Sequence, residues 1–226
     1  VTHPLLDTVV SGRRVRVLAT DRIDGDMHPE RVASDVLKRR QVAVSGRTWT
    51  MMDQVHGTDV VQAGDGTTGD VLVSAAEATH IAVWAADCAP LVLVSSDGTL
   101  VAAHGGWRGL AAGVVDVAIH AATQNGGVVA AAVLGPVIHP CCYEFGNADR
   151  QTVADGLGVD VDAVTATTSK GKPALDVPSG ISAALCRHGI DLDASGPCTG
   201  CDDRWFSHRV RQDRGRHAVV VYQEHA

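Results

Sequence analysis

The sequence predicts a single α/β domain, mixed in the α+β sense, in which layers of mixed β-sheet are flanked by helices. Three observations predict it. The chain has 226 residues, enough for a sizeable core, with no internal repeat and no linker, so one domain over 1–226 is expected. Short β-rich runs come both in hairpins and alternating with helical stretches, which requires parallel and antiparallel pairs together. Aromatic residues make up only 4% while hydrophobic residues make up 45%, so Val, Ala, Leu and Ile must build the core.

Taken in order, Val15–Ala19 reads as a first strand. Pro29–Arg40 reads as a helix, with Pro29 at a tolerated N-terminal position and Val32, Val36 and Leu37 on one face. Trp49–Val55 is expected to be a strand that ends in a polar turn at His56-Gly57, with Val60-Val61 beginning its partner. Gly64–Gly69 is a loop by composition. Val71–Ser74, His80–Ala85 and Leu91–Ser95 are strand-like, and Asp97-Gly98 between two apolar runs predicts a hairpin. Leu110–Ala122 has helical spacing and is stopped by Asn125-Gly126-Gly127. A buried strand over Val128–Leu134, helices over Ala148–Gly156 and Ser179–His188, and a last strand over Ala218–Tyr222 complete the expectation.

Composition excludes several classes. The net charge is −7 and the longest basic block is Lys38-Arg39-Arg40, so nucleic acid is not an expected partner. No apolar run reaches the length of a membrane span. The first residues, VTHPLLDTVVSGRRVR, lack a basic start followed by an apolar stretch, so no signal peptide is expected. The six cysteines are then expected to be reduced thiols and the location cytoplasmic. Histidines outside the motifs described below are expected mostly at the surface, and Cys186 is expected to pack.

The chemistry concentrates in Ala86–Gly113, which reads as strand, turn, strand and a glycine-rich corner. A hairpin brings its ends together, so Cys88 at its start and His104 at its finish can meet. His56 in the upstream turn is a third candidate. Two imidazoles and one thiolate leave a fourth position open, the pattern of a catalytic zinc site. Hydrogen-bonding turn histidines and a small buried cysteine would be the plainer reading. After His104, Gly105 and Gly106 let the backbone approach a ligand, and Arg108 adds a planar cation at the start of a helix, a plausible anion pocket. A packed corner with Arg108 on the surface is the plainer reading there. Asp87, next to Cys88 in a strand, would point to the opposite face and orient neighbours rather than ligate. Cys198 and Cys201 form a C-x-x-C that Cys141-Cys142 would complete to four thiolates, but adjacent cysteines rarely ligate together, so no second zinc is expected.

Six blocks occur in order: Gln54-Val55-His56-Gly57, Ala86-Asp87-Cys88 with Pro90, His104-Gly105-Gly106-Trp107-Arg108-Gly109, Leu134-Gly135-Pro136, Cys141-Cys142-Tyr143-Glu144 and Phe206-Ser207-His208-Arg209. Together, from about Trp49 to the C-terminus, they resemble the YfiH/laccase-domain family, also called the polyphenol-oxidase or purine-nucleoside-phosphorylase family. The first 45 residues match poorly, and Thr20–Met27 stands where relatives carry a Gly-Gly-Val-Ser-like segment. The resemblance implies a YfiH-like fold and a zinc ion on His56, Cys88 and His104. It places Arg108, Cys88 and His56 in the catalytic set, and Arg108, Gly106, Arg209 and Gln54 in the substrate-binding set. Arg209 is a second phosphate or ribose candidate, and His139 and His208 are expected to line the pocket.

The resemblance further implies a zinc-dependent purine nucleoside phosphorylase that takes small molecules, namely adenosine, inosine or methylthioadenosine with phosphate. Adenosine deamination would be a second activity. Pro197-Cys198-Thr199-Gly200-Cys201 supplies the second half of the zinc deaminase signature, but that signature is not expected as a working whole, and phosphorolysis is the preferred half of the claim. A copper laccase competes with this reading. No His-x-His pair exists to build a multicopper cluster, although two His and one Cys can hold a single copper. A cysteine hydrolase acting on peptidoglycan precursors, with Cys88 as nucleophile, is a third reading. A non-catalytic zinc or partner-binding module is a fourth.

Overall fold

Successive side chains of a strand face opposite sides of its sheet, and here both sides of the central strands are buried, which is why they read as unbroken apolar runs. The computed structural model describes residues 2–76 and 78–225. The strands are β1 (His3–Val10), β2 (Arg13–Ala19), β3 (Trp49–Thr50), β4 (Val60–Gln62), β5 (Val71–Ser74), β6 (His80–Ala85), β7 (Ala89–Ser95), β8 (Leu100–Gly105), β9 (Val129–Leu134), β10 (Thr165–Thr167), β11 (Pro173–Leu175), β12 (Ala194–Ser195) and β13 (His217–His225). The helices are α1 (Ser34–Ser45), α2 (Trp107–Ala111), α3 (Val114–Thr123), α4 (Asn147–Leu157), α5 (Val177–Cys186) and α6 (His208–Arg211), with 3-10 turns at Pro140–Cys142 and Val161–Val164.

Two sheets stack face to face. One has the order β1-β2-β13-β6-β3 and the other β12-β9-β7-β8-β5-β4; β10 and β11 form a separate ribbon. Val17, Val83, Val219 and Val221 of the first sheet meet Leu72, Val92, Leu100 and Val133 of the second in a shared core. The alternate residues Leu91, Leu93, Val101 and Ala103 face outward onto α2, α3, α4 and α5. On the other side Ala82, Ala218 and Val220 face Leu37 of α1 and Trp49. The result is four layers, helix, sheet, sheet, helix, with parallel and antiparallel pairs in both sheets, which is the mixed α/β class expected. No helix among the described residues is long and apolar enough to cross a membrane.

Several boundaries differ from the sequence expectation, each for a physical reason. Strand β1 has no counterpart there, because this edge strand is only half-buried and mixes polar with apolar positions. The helix expected over Pro29–Arg40 begins at Ser34 instead. His28 to Val32 close a turn of their own, in which His28 Nδ1 accepts from the Glu30 amide and Asp26 from the His28 amide. The Trp49 strand stops at Thr50, since the amides of residues 55–57 go to a carboxylate rather than to a ladder. Val60–Gln62 is therefore not its hairpin partner but pairs in parallel with β5 in the other sheet. The helix expected over Leu110–Ala122 is two helices, broken at Gly113, whose φ of 88° is left-handed. Strands β5 and β6 lie where expected, and the Asp97-Gly98 hairpin joins β7 to β8. His28, His80 and His217 are buried rather than at the surface. Cys186 is exposed rather than packed.

Candidate active site and metal centre

The hairpin β7–β8 closes as its turn predicts, pairing Ala89 with Gly105 and Pro90 with His104. Cys88 thereby lies beside His104, and the 55–57 loop brings His56 over both. His56 Nε2 is 3.9 Å from Cys88 Sγ, and the three donor atoms lie within 4.8 Å of one another. The two imidazoles meet edge to face with centroids 4.8 Å apart. Burial grades across the group: His104 is buried, Cys88 half-buried and His56 exposed. The open side faces a pocket of about 160 Å³ lined by Trp107, Arg108, Tyr143, Val177, His208 and Arg209.

Asp70 organises this group, and sequence reasoning missed it. It lies fully buried directly before β5, and its carboxylate accepts from the backbone amides of Val55, His56 and Gly57 at 3.2, 3.0 and 2.6 Å. The same carboxylate is 2.8 Å from His104 Nδ1. One acid therefore fixes the loop that carries one candidate ligand, His56, and the ring of another, His104. With Nδ1–H donating to Asp70, His104 Nε2 is the nitrogen left to bind a metal, which would displace any proton there, the usual carboxylate–histidine arrangement of metal centres. Burial works against the Asp70 carboxylate, but His104 and the Gly57 and His56 amides outweigh it and hold its pKa below the usual range. The only sequence signal was an acid, Asp70, directly before an apolar run.

Electrostatics of the group follow from the same contacts. Burial disfavours the Cys88 thiolate, yet the facing His104 and then His56 bring its pKa down to about 6. Burial likewise disfavours charge on His104, and the Cys88 sulfur followed by Asp70 raises it to about 9. One of the three donors and a neighbour of another carry left-handed backbone: His56 at φ 63° and Asp87, next to Cys88, at φ 93°. Such conformations cost of order 1–3 kcal/mol and persist where surrounding contacts over-determine them. Asp87 is thus in a bend, not in a strand. It still acts as an orienting residue, accepting from Thr199 Oγ1 and from the Arg209 amide, both at 2.6 Å.

The donor set fits a zinc ion. With Zn–S near 2.3 Å and Zn–N near 2.0–2.1 Å, a tetrahedral site separates S and N by about 3.6 Å, close to the spacing of His56 and Cys88. Gly106 is required by His56: a Cβ there would lie 2.4 Å from His56 Cδ2. The glycine thus makes room for a ligand ring. Arg108 is exposed at the pocket rim, its Cζ 4.5 Å above the Trp107 ring. Arg209 Cζ sits 4.9 Å above the Tyr143 ring on the facing wall. Gln54, by contrast, is drawn away from the pocket, since its amide donates to Trp84 O at 2.8 Å and accepts from Trp84 N at 3.0 Å. His208 lines the pocket, whereas His139 turns towards Gly196 O. Tyr143, Ile138 and Val177 complete the walls. A larger cavity of about 360 Å³ lies at the opposite end of the five-stranded sheet, against Arg47, His80 and Glu224, and shares none of these residues.

A family model described as multi-copper polyphenol oxidoreductase laccase matches residues 15–224, so the similarity reaches well into the N-terminal part that the motif blocks left out. A purine nucleoside phosphorylase of Streptomyces coelicolor is 36% identical over 201 residues, covering 84% of this chain and 81% of its own. The purine nucleoside phosphorylase YfiH of Escherichia coli is 32% identical over 179 residues, covering 76% and 72%. A crystal structure of a Neisseria meningitidis protein superposes with a TM-score of 0.78 at 25% identity, over 97% of this chain and 99% of that one. On these matches and on the order of its motif blocks, the chain belongs to the YfiH/laccase-domain family.

Proposed function

We propose that the chain is a zinc-dependent purine nucleoside phosphorylase acting on adenosine, inosine or methylthioadenosine. In this reading His56, Cys88 and His104 hold the zinc, while Arg108 and Arg209 hold phosphate. The observation that carries it is the convergence on one pocket of three metal-capable donors and two guanidinium groups. The names of the Streptomyces and Escherichia relatives support it. We read residues 1–226 as one domain, since the two sheets share a core. We assign its action to the cytoplasm, which agrees with the cysteines being free thiols.

In phosphorolysis a phosphate oxygen bonds to the anomeric carbon of the ribose. The bond from that carbon to the purine nitrogen breaks, and its electron pair leaves with the base, which takes up the proton that the hydrogen phosphate gives up. Zinc in this donor set supplies a Lewis-acid charge to the pocket. The chain's own part is to position the reactants. Both guanidinium groups lie over aromatic rings, a cation–π contact that leaves the planar fork of N–H donors suited to phosphate. Tyr143 keeps its proton, because burial, and then the Cys88 sulfur, push its pKa up to about 12 against the pull of Arg209. It therefore stays a hydrogen-bond donor on the pocket wall. Helix α2 is a single turn, so the anion site rests on Arg108 and Arg209 more than on a helix dipole. His28-Pro29-Glu30 has the H-x-E spacing, but Cys198 and Cys201 group with Cys141 and Cys142 and not with His28, so phosphorolysis rather than deamination is the reaction assigned.

Two further readings have an observation behind them. Two His and one Cys also suit a single copper, in line with the family description. Among the described residues, however, the groups of three or more donors are this one and a four-cysteine group, so no three-histidine cluster is formed. A thiol near 6 facing an imidazole also resembles a cysteine nucleophile, and bound metal would silence it.

Arg108→Ala tests the phosphorolytic reading. Loss of a charge-assisted contact removes about 1.5–3 kcal/mol, so the phosphate concentration for half-maximal rate should rise on the order of ten- to a hundredfold. Zinc content should not change, and Arg108→Lys should recover only part, since it restores charge without the fork. Unchanged phosphate dependence in Arg108→Ala would remove this residue from the anion site.

A further inference from the structure

We propose that Cys141, Cys142, Cys198 and Cys201 form a second metal site, a closed four-thiolate zinc site that pins one wall of the active-site pocket. The four sulfurs converge without bonding. Cys141 Sγ lies 3.8 Å from Cys142, 3.7 Å from Cys198 and 3.3 Å from Cys201, and Cys142 Sγ lies 3.5 Å from Cys201. A disulfide requires about 2.05 Å. With Zn–S near 2.3 Å, the edge of a tetrahedron of thiolates is about 3.8 Å. The observed spacings are those of a ligand cage.

The backbone explains how neighbours in sequence can both ligate. Adjacent side chains diverge in a strand, but Cys141 and Cys142 lie in the 3-10 turn Pro140–Cys142, where successive residues are about 120° apart. The facing Cys198–Cys201 turn is shaped to receive them. A Cβ at Gly200 would lie 2.7 Å from Cys142 Cβ and 2.8 Å from its sulfur, so only glycine admits that thiol. The surroundings also match a thiolate cage. The His139 amide donates to Cys198 Sγ at 3.3 Å, and Arg211 holds the turn through Thr199 O at 2.7 Å and Gly200 O at 3.2 Å. Such outer contacts orient thiolates and offset their charge. Zinc uptake by four thiols releases up to about four protons and leaves a doubly negative cage, for which Arg211 is a nearby cation.

This site differs from the His56–Cys88–His104 centre in kind. It has four sulfurs and no open position, so it is structural rather than catalytic. Its place in the fold says what it secures. Cys142 is followed by Tyr143 of the pocket wall. Within the other pair, Thr199 donates to Asp87, which also accepts from the Arg209 amide and precedes Cys88. The cage thus ties together the segments that carry Tyr143, Arg209 and Cys88. It does not depend on which reaction the pocket performs.

The test is zinc content of the full chain, purified under reducing conditions without added metal or chelator. The wild type should hold about two zinc ions per chain and Cys88→Ala about one. The double variant Cys198→Ser/Cys201→Ser should also hold about one and melt at a lower temperature. Cobalt-loaded Cys88→Ala should show the intense thiolate-to-cobalt charge transfer and red d–d bands of a tetrahedral sulfur site, absent from a triple variant. If the double variant does not fold, the Cys88→Ala measurements decide alone. The proposal is overturned if Cys88→Ala carries no zinc and its four thiols titrate freely, if mass spectrometry finds them as disulfides, or if they hold iron. Failure of the nucleoside reading would show as absent turnover with both zinc ions in place, a distinct result.

Discussion

Cys88→Ala is expected to lose the zinc of the His56–Cys88–His104 centre and to lower turnover on the order of a thousandfold or more, the scale seen when a principal charge-stabilising group is removed. Cys88 is the one thiolate of the group and stands between an exposed and a buried imidazole. With two histidines left, the donor set falls below the three protein ligands of catalytic zinc sites. Elemental analysis beside the wild type should find one zinc fewer. Equal zinc in both proteins would show that Cys88 is not a ligand and would favour the cysteine-nucleophile reading. Cys88→Asp separates the two cases further: a carboxylate can replace a thiolate as ligand and retain part of the metal and activity, whereas it cannot replace a nucleophilic sulfur in acyl transfer.

Asp70→Asn is expected to have the second largest effect, although Asp70 touches no substrate. The carboxylate accepts from three backbone amides and from His104, and it is fully buried. An asparagine keeps the shape but offers one oxygen in place of two, and its NH2 group faces the donors the carboxylate had satisfied. Breaking a buried charged partner typically costs about 3–5 kcal/mol, and loss of a carboxylate behind a metal-ligating histidine typically lowers metal affinity roughly 10- to 100-fold. Urea unfolding and a chelator competition titration measure the two separately. Wild-type affinity in a stably folded Asp70→Asn would mean that the 55–57 loop and His104 hold their positions without it.

The convergence of His56, Cys88 and His104 was legible because its geometry is local. An Asp-Gly hairpin signal between two apolar runs suffices to bring residues 88 and 104 together, and the His56 turn is polar and glycine-flanked. The same holds for β5 and β6, whose apolar runs are bounded by clear breakers. Asp70 was not legible, because a buried carboxylate is defined by the amides that satisfy it, and those come from a loop thirteen to fifteen residues upstream. Tyr143, Val177 and Ile138 reach the pocket from loops and helix ends whose placement depends on the packing of α4 and α5. The N-terminal edge was hard to read for another reason. Strand β1 is half-exposed, so its pattern carries little periodicity, and the turn at His28–Val32 is closed by side-chain bonds that compete with a helix. For the four cysteines, the rule that adjacent cysteines rarely ligate together took no account of the local backbone, a 3-10 turn at Pro140–Cys142.

The most direct test of the phosphorolytic reading is the product balance of wild-type protein incubated with adenosine, inosine or methylthioadenosine, with and without inorganic phosphate. The account predicts free purine base and pentose 1-phosphate in equal amounts, formed only when phosphate is present and abolished in Cys88→Ala. Base released at the same rate without phosphate, together with free ribose, would contradict it and make the pocket a hydrolase.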